Sequence, residues 1–203
     1  MILHILRDAL ALREAVRAAE RRQEDGGGHL GGSTKEPASF KKDLADWGRI
    51  LGNDALAVLV LWRARQMISR FRLPLGNALL RRMQTVIFGV EIDKRACIGE
   101  GVWFVHPVGT VVGGDTKIGA RARLMGSNTL GTRVDDGYPE IGEDVIVGAG
   151  ARVLGPVLIG DGARIGAGAV VLRDVPAGAI AVGVPARIVS MRGAEAHHSP
   201  IVT

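Results

Sequence analysis

The chain has 203 residues, of which 47% are hydrophobic and 23% are charged, a balance typical of a folded globular protein and not of a disordered one. Its 29 glycines are about twice the usual share, which predicts many positions where a Cβ is not tolerated. The formal charge of +5 arises in residues 1–90, which hold 15 Lys and Arg against 9 Asp and Glu. Aromatic residues make up only 4% and no nucleic-acid motif is present, so we expect no nucleic-acid partner.

The cysteine content and the apolar segments bear on the compartment. Cys97 is the only cysteine, so an intramolecular disulfide is excluded and a reducing compartment is favoured. The start, MILHILRDAL, lacks the basic region and long apolar core of a signal peptide. The longest apolar run covers residues 55–62, far fewer than the roughly 20 residues that span a bilayer. The sequence therefore predicts a cytoplasmic protein without a transmembrane segment.

Helical periodicity dominates the first 90 residues. We expect an N-terminal helix and a Gly-rich linker over residues 1–38, followed by a small helical region over residues 39–90. Pro74 and Gly76 predict a turn inside this helical region. Its helices are predicted over residues 40–51, 55–71 and 77–88. Their broad apolar surface has to be buried, and another subunit is one candidate.

From residue 91 onward the hydrophobic period changes to six. A buried-type aliphatic residue recurs at Ile141, Val147, Val153, Ile159, Ile165 and Val171, and a small or β-branched residue follows each by four positions. This period fits neither an α-helix nor simple strand alternation, and it is typical of a hexapeptide β-helix with three repeats, or about 18 residues, per coil. We assign residues 91–190 to this domain and residues 191–203 to a flexible tail.

Two segments break the six-residue period. In "FVHPVGTVVGG", residues 104–114, the series slips by two positions between Phe104 and Val112. Residues 131–140 form an acidic, Gly-containing insert between Leu130 and Ile141. Inserts in solenoids are extruded as loops, often on the binding face. Both interruptions are therefore candidate functional segments.

The segments "VEIDKRACIGEGVWFVHPVGTVVGGDTKIG" and "IGEDVIVGAGARVLGPVLIGDGARIGAGAVVLRDVPAGAIAVGVPARIV", with the helical region before them, resemble the serine acetyltransferases. More broadly they resemble the left-handed β-helix acyltransferases, over roughly residues 40–190. The resemblance implies a mainly β fold, a left-handed parallel β-helix preceded by a small α-helical region. It also implies an acetyl-CoA-dependent O-acetyltransferase that assembles as a homotrimer, and it leaves open whether two trimers join through the helical region into a hexamer.

The resemblance assigns the catalytic pair. In this family the histidine of an H-x-x-G segment removes the proton from the acceptor hydroxyl, and His106 occupies that place. Imidazole suits this role because it accepts a proton near neutral pH, where a hydroxyl is a poor nucleophile. A family carboxylate fifteen residues upstream orients the imidazole, and here that position is Glu91, where the family usually has Asp.

The resemblance also implies a binding groove for acetyl-CoA, as co-substrate, between the coils of neighbouring subunits. Small residues let the pantetheine arm lie against the backbone, and a basic residue lies near the nucleotide phosphates. An amide near Gly131 is a candidate donor to the tetrahedral oxyanion. The matching positions are Gly131, Ala149, Arg164 and Ala167.

The sequence departs from the family at the amino-acid site. Val105 replaces the Asp that precedes the catalytic histidine, and Gly137–Tyr138 replaces an Arg-His pair in a loop that is about three residues shorter. Replacement groups for the acceptor are predicted at Asp54, Arg133, Asp135, Asp136 and Tyr138. The acceptor is therefore left open between L-serine or a related amino acid and the hydroxyl of a sugar or another metabolite.

Three other readings are less favoured by the residues. Zinc chemistry on this type of β-helix needs three histidines on the coils, and the domain has only His106, so we expect no metal. The chain ends in "HHSPIVT" without the terminal Ile that family members insert into cysteine synthase, so that complex is not expected. A non-catalytic β-helix scaffold is disfavoured by the H-x-x-G and GVPAR segments.

Overall fold

The computed structural model describes residues 6–10, 13–14, 54–71 and 73–191. The first two of these short stretches are helical, in line with the N-terminal helix expected from the sequence. The linker, the helix expected over residues 40–51 and most of the predicted tail lie outside the described residues. Among the described helices, none has the length and apolarity to cross a bilayer.

The helices directly before the strands are α1 (Asp54–Arg70) and α2 (Pro74–Phe88), and they confirm the two predicted helices nearest to the β-helix. The turn predicted at Pro74 and Gly76 is wrong, because both residues lie in the first turn of α2. Proline is tolerated there since the first amide of a helix has no intrahelical acceptor to lose. The helix ends at Gly89, whose φ of 61° is the left-handed cap that favours glycine.

Fifteen short strands follow the helices within the described residues. They are β1 (Glu91–Ile92), β2 (Cys97–Ile98), β3 (Trp103–Phe104), β4 (Val111–Val112), β5 (Lys117–Ile118), β6 (Arg123–Leu124), β7 (Thr129–Gly131), β8 (Glu140–Ile141), β9 (Ile146–Val147), β10 (Arg152–Leu154), β11 (Leu158–Ile159), β12 (Arg164–Ile165), β13 (Val170–Val171), β14 (Ala179–Val182) and β15 (Arg187–Met191).

The strands stack into three sheets around a common axis. Sheet A has the order β1-β4-β7-β10-β13, sheet B the order β11-β8-β5-β2, and sheet C the order β15-β14-β12-β9-β6-β3. From β1 to β13 each strand pairs in parallel with the strand three places further along the chain, and β14 pairs in parallel with β12. Strand β15 then runs antiparallel to β14. This is a parallel β-helix of five coils, the fold that the six-residue period predicts.

The strand register locates the two interruptions of the period. Val111 pairs with Thr129, eighteen residues on, as expected for a regular coil. Glu91 pairs with Val111, twenty residues on, so two extra residues lie in the first coil. Thr129 pairs with Arg152, twenty-three residues on, so five extra residues lie in the third coil. The two-residue slip in residues 104–114 is thus a widened corner of the first coil. The insert at residues 131–140 is an extruded loop of the third coil.

The repeating aliphatic residues fill the axis of the β-helix. Those at the six positions from Ile141 to Val171 are at most 4% exposed, and the small residues that follow each of them are buried too. Phe104, beside the widened corner, is fully buried. The pattern of burial confirms the inward-facing set that the period predicts, with the core running along the whole solenoid.

Helix α1 covers the open edge of the first coil, whose backbone has no preceding strand to pair with. The Trp62 indole N–H donates to the Asp93 carbonyl at 3.1 Å, Arg63 donates to the Ile98 carbonyl at 3.2 Å, and Arg65 donates to the Ile92 carbonyl at 2.7 Å. An uncovered sheet edge invites association with other chains, so these side chains both satisfy the carbonyls and protect the edge.

Candidate active site

His106 lies in the widened corner between β3 and β4. This corner consists of residues 105–110, and the equivalent segments of the following coils stack on it. All of these segments join sheet C to sheet A. Together they are called the histidine corner: residues 105–110, 125–128, 148–151 and 166–169. The side chain of His106 is exposed, between the buried Phe104 and Pro107. It forms no hydrogen bond with the described residues, so both ring nitrogens are available to a ligand.

Gly126 supports the histidine from the next coil. A Cβ at this position would lie 2.6 Å from the His106 carbonyl oxygen and 3.0 Å from the His106 Cβ, and the φ of Gly126 is 126°. Only glycine tolerates both the close approach and that backbone angle. The widened corner therefore rests directly on the coil below it, which fixes the His106 backbone.

The predicted contact between Glu91 and His106 is not present in the chain. The Glu91 carboxylate accepts instead from the Arg81 guanidinium of α2, at 2.5 Å. This partner could not be predicted from the sequence, because Arg81 lies on a different element and its orientation depends on how α2 packs against β1. The orienting role of Glu91 stays a prediction.

Arg81 and Glu91 lie in a cleft of about 1080 Å³ between α2 and the first two coils. The cleft floor is sheet A, and Tyr138 of the extruded loop forms one end. Its polar lining is mostly charged. The charged residues are Arg65, Arg81, Arg82, Glu91, Asp93 and Lys94. A site of this size accommodates a small metabolite.

Tyr138 closes this cleft by packing on Gly114. A Cβ on Gly114 would lie 2.0 Å from the ring Cζ of Tyr138, so the ring occupies the space that any other residue would need. We call the segments that join sheet A to sheet B, including residues 113–116 and the loop 132–139, the loop corner. The aromatic ring that replaces a family histidine thus anchors the loop to its own chain.

The rest of the loop is braced internally. The Asp136 carboxylate accepts from the backbone amides of Arg133 and Val134 at 3.2 and 3.4 Å, and it forms an ion pair with the Arg133 guanidinium at 3.0 Å. Burial acts to raise the pKa of Asp136, but the backbone amides outweigh it and hold the pKa below its usual value. Two of the predicted acceptor-binding groups are therefore paired with each other, while Asp135 is exposed.

The lowered pKa of Asp136 predicts a pH-dependent loop. A carboxyl group with a lower pKa in the folded state than in the unfolded state stabilises the fold above its unfolded-state pKa. This stabilisation is lost as the pH falls through the folded-state pKa. We expect amide hydrogen exchange at Val134 to accelerate as the pH is lowered below about 4, after correction for intrinsic exchange. Asp136→Ala should show the faster, corrected exchange already at neutral pH. Equal protection in the variant and the wild type at neutral pH would contradict this role.

The residues predicted to bind acetyl-CoA fall on three parts of the β-helix. Ala149 and Ala167 are exposed and stacked at the histidine corner, where the Gly168 amide donates to the Ala149 carbonyl at 2.8 Å. Gly131 ends β7 at the loop corner, and a Cβ there would meet nothing within 4 Å, so space is open beside it. Arg164 lies on sheet C, in a hollow of about 400 Å³. A single chain brings the two alanines together with His106 but not with Gly131.

Two further expectations concern Asp54 and metals. Asp54 is the exposed first residue of α1 and does not line the cleft, so the structure does not bring it to the other predicted acceptor-binding residues. Within the described part of the chain, no group of three His, Cys, Asp or Glu side chains is arranged to hold a metal ion.

The chain is similar in sequence to known transferases with hexapeptide repeats. Residues 138–173 match the bacterial transferase hexapeptide family, described as six repeats. A serine acetyltransferase of Helicobacter pylori strain J99 is 36% identical over 159 residues, which cover 77% of this chain and 91% of that protein. The chain belongs to the serine acetyltransferase family. A second serine acetyltransferase, from Synechococcus elongatus, is 39% identical over 138 residues, but the match spans only 57% of that longer protein.

Solved structures of serine acetyltransferases have the same fold. A serine acetyltransferase in complex with CoA superposes with a TM-score of 0.71 at 30% identity, over 91% of this chain and 69% of that one. A soybean serine acetyltransferase complexed with serine gives a TM-score of 0.70 at 34% identity, over 90% of this chain and 68% of that one. The family resemblance seen in the hexapeptide segments is therefore matched by the fold.

Proposed function

We propose that the protein is an acetyl-CoA-dependent O-acetyltransferase in which His106 is the general base. The observation that carries this proposal is the exposed imidazole in the one widened corner of the described coils, in a chain that belongs to the serine acetyltransferase family. The position combines access to ligands with a backbone fixed by Gly126. Those are the requirements for a positioned proton acceptor.

The reaction is a direct transfer. The unprotonated imidazole nitrogen of His106 takes the proton of the acceptor hydroxyl as its oxygen attacks the thioester carbonyl of acetyl-CoA. The tetrahedral intermediate collapses, the carbon–sulfur bond breaks, and the imidazolium returns the proton to the departing CoA thiolate. An amide near Gly131 is the proposed donor to the oxyanion, and the open space where a Gly131 Cβ would lie supports this choice. Glu91 acts as the group that orients the imidazole, after release from Arg81 or through a shared hydrogen-bond network.

Acetyl-CoA is the proposed donor because the exposed small residues at the histidine corner suit its pantetheine arm. Ala149 and Ala167 are small and exposed, and they lie two and three coils beyond His106 along the histidine corner. Carbonyls and amides along such an edge can bond the two pantetheine amides. Arg164 offers a cation for the nucleotide phosphates. The solved complex of a family member with CoA supports this choice of donor.

The proposed acceptor is L-serine or a related amino acid. The family name and the soybean complex with serine support it. The second candidate is the hydroxyl of a sugar or another metabolite, which Val105 and the Gly137–Tyr138 replacement favour, because they remove the acidic and basic groups that suit a free amino acid. A thiol-release assay with acetyl-CoA and a panel of L-serine, L-homoserine and nucleotide sugars decides between them.

The proposed assembly is a homotrimer in the cytoplasm. His106 and Gly131 lie at different corners of one chain, so a complete site requires the histidine corner of one subunit beside the loop corner of another. Helix α2 adds an apolar face that is exposed in the single chain, with Leu75, Leu79, Val86 and Ile87 between 60% and 86% exposed. Such a face favours burial against further subunits, by which two trimers would form a hexamer.

Binding of the donor separates this proposal from a non-catalytic scaffold. A ligand that binds only the native state must raise the melting temperature, and a concentration 100 times the Kd stabilises it by about 2.7 kcal/mol. We expect acetyl-CoA to raise the Tm, and Ala149→Trp, which places a bulky side chain on the proposed pantetheine edge, to abolish the rise. The same Tm with and without saturating acetyl-CoA would favour the scaffold.

A further inference from the structure

The cleft between α2 and the first two coils carries an excess of positive charge. Its lining includes four basic side chains and two acidic ones. The acidic groups, Glu91 and Asp93, are both occupied by arginines: Glu91 by Arg81, and Asp93 by the backbone amide and the guanidinium of Arg95, at 2.8 and 3.5 Å. Arg95 is also paired with Asp115 at 3.7 Å. Four basic and two acidic lining residues leave the cleft with a formal charge of +2.

Two of the four basic side chains have hydrogen-bond partners among the described residues, and two do not. Arg65 is buried, and its guanidinium donates to the Gln84 side chain and the Ile92 carbonyl, each at 2.7 Å. Arg81 is held by Glu91. The side chains of Arg82 and Lys94 form no hydrogen bond or ion pair with the described residues, although both line the cleft.

Two unpaired cations that line one concave site favour an anionic ligand. Low-dielectric walls strengthen the attraction relative to a flat surface, and a guanidinium and an ammonium offer charge-assisted hydrogen bonds to carboxylate or phosphate oxygens. The cleft also explains how the chain can lack the basic loop pair of its family. Gly137–Tyr138 removes positive charge from the loop, and Arg82 and Lys94 supply it from α2 and the first coil.

We propose that Arg82 and Lys94 form an anion-binding site for the acceptor, which therefore carries a carboxylate or a phosphate. This inference rests on the proposed acetyl transfer and specifies the acceptor class for that same site. The anionic group binds between α2 and the corner that follows β1, with the Tyr138 ring closing the end of the cleft. The acceptor hydroxyl then extends toward the histidine corner of a neighbouring subunit.

The first test compares two acceptors that differ only in charge. L-Serine and L-serinamide share the hydroxyl and the amine, but only L-serine carries a carboxylate. We expect Arg82→Gln and Lys94→Gln each to lower kcat/KM for L-serine about tenfold, the typical loss for one charge-assisted hydrogen bond, and to leave kcat/KM for L-serinamide within about twofold. Arg173→Gln, an exposed arginine on the fifth coil, is the matched control and should not change the ratio.

A change of the same size for both acceptors in the Arg82 and Lys94 variants would overturn the inference while leaving acetyl transfer intact. Absence of transfer to L-serine in the wild type would instead count against the proposed amino-acid acceptor. The second test is independent of activity. Inorganic phosphate binding is measured by calorimetry, in the presence of saturating CoA, on the wild type, the Arg82→Gln/Lys94→Gln double variant and Arg173→Gln.

We expect the wild type and Arg173→Gln to bind phosphate with the same affinity and the double variant to bind it at least tenfold more weakly. The melting temperature of each protein confirms that the fold is retained. Equal phosphate affinity in all three proteins, or no phosphate binding by the wild type, would overturn the anion site.

Discussion

His106→Ala is expected to lower kcat for acetyl transfer by about 10²- to 10⁴-fold, the usual contribution of a positioned general base. The physical reason is that the acceptor hydroxyl would then have to lose its proton to water, because the described residues of the histidine corner include no other acidic or basic side chain. Because the His106 side chain is exposed and forms no hydrogen bond with the described residues, its removal should cost little stability. The measurement is steady-state thiol release from acetyl-CoA.

The matched control for this variant is Ser127→Ala. Ser127 is exposed on the next coil at the same corner, and its hydroxyl makes only a 3.4 Å contact to the Val108 carbonyl. It should keep most of the activity. Both variants should retain the wild-type Tm, the wild-type oligomer mass by light scattering and the Tm rise with acetyl-CoA. A His106→Ala enzyme with more than about a tenth of wild-type kcat would contradict the general-base role.

Trp62→Ala is expected to lower the free energy of unfolding by about 3–5 kcal/mol. Trp62 is fully buried between α1 and the first coil, and its indole N–H is the donor for the Asp93 carbonyl. Truncation leaves a large cavity at the edge of the β-helix, where no earlier coil can compensate. It also removes one of the two donors to the Asp93 carbonyl, the other being the Ala96 amide at 3.2 Å. Denaturant unfolding followed by circular dichroism measures the loss.

Val134→Ala provides the comparison for this stability effect. Val134 is 75% exposed at the loop, and a substitution away from packed or hydrogen-bonded features usually changes stability by less than about 0.5 kcal/mol. If Trp62→Ala unfolds at the same denaturant concentration as Val134→Ala, then α1 does not stabilise the first coil. The expected result is instead a large shift for Trp62→Ala and a negligible one for the control.

The sequence predicted the coils well because the β-helix repeats a local rule. A buried aliphatic residue every six positions and a small residue four positions later specify strand and corner without reference to distant residues. Because the period is regular, segments that break it are easy to find in the sequence. The widened corner with His106 and the extruded loop were both predictable as such breaks. Helix α1 was predictable for a similar reason, since its hydrophobic pattern is strong.

The interactions that shape the cleft were not predictable from the sequence. The Arg81–Glu91 pair joins α2 to β1, and the packing of Tyr138 on Gly114 joins the loop to a coil more than twenty residues earlier. Both depend on the rotation of one element against another, which the period does not encode. The prediction for Pro74 was wrong for a related reason. Proline is common in turns, but it is equally well tolerated at the first position of an α-helix.

The proposed reaction is the transfer of an acetyl group from CoA to a hydroxyl, with His106 as the base. The most direct measurement is the balance of products in a single reaction of the wild-type protein with acetyl-CoA and L-serine, with free CoA thiol determined by a chromogenic reagent and acetyl ester by mass spectrometry. We expect one ester to form for every thiol released, and no thiol release when the acceptor is omitted. The same measurement is then made with each other acceptor of the panel. Thiol release without ester, or no release with any of these acceptors, would contradict the proposed transfer.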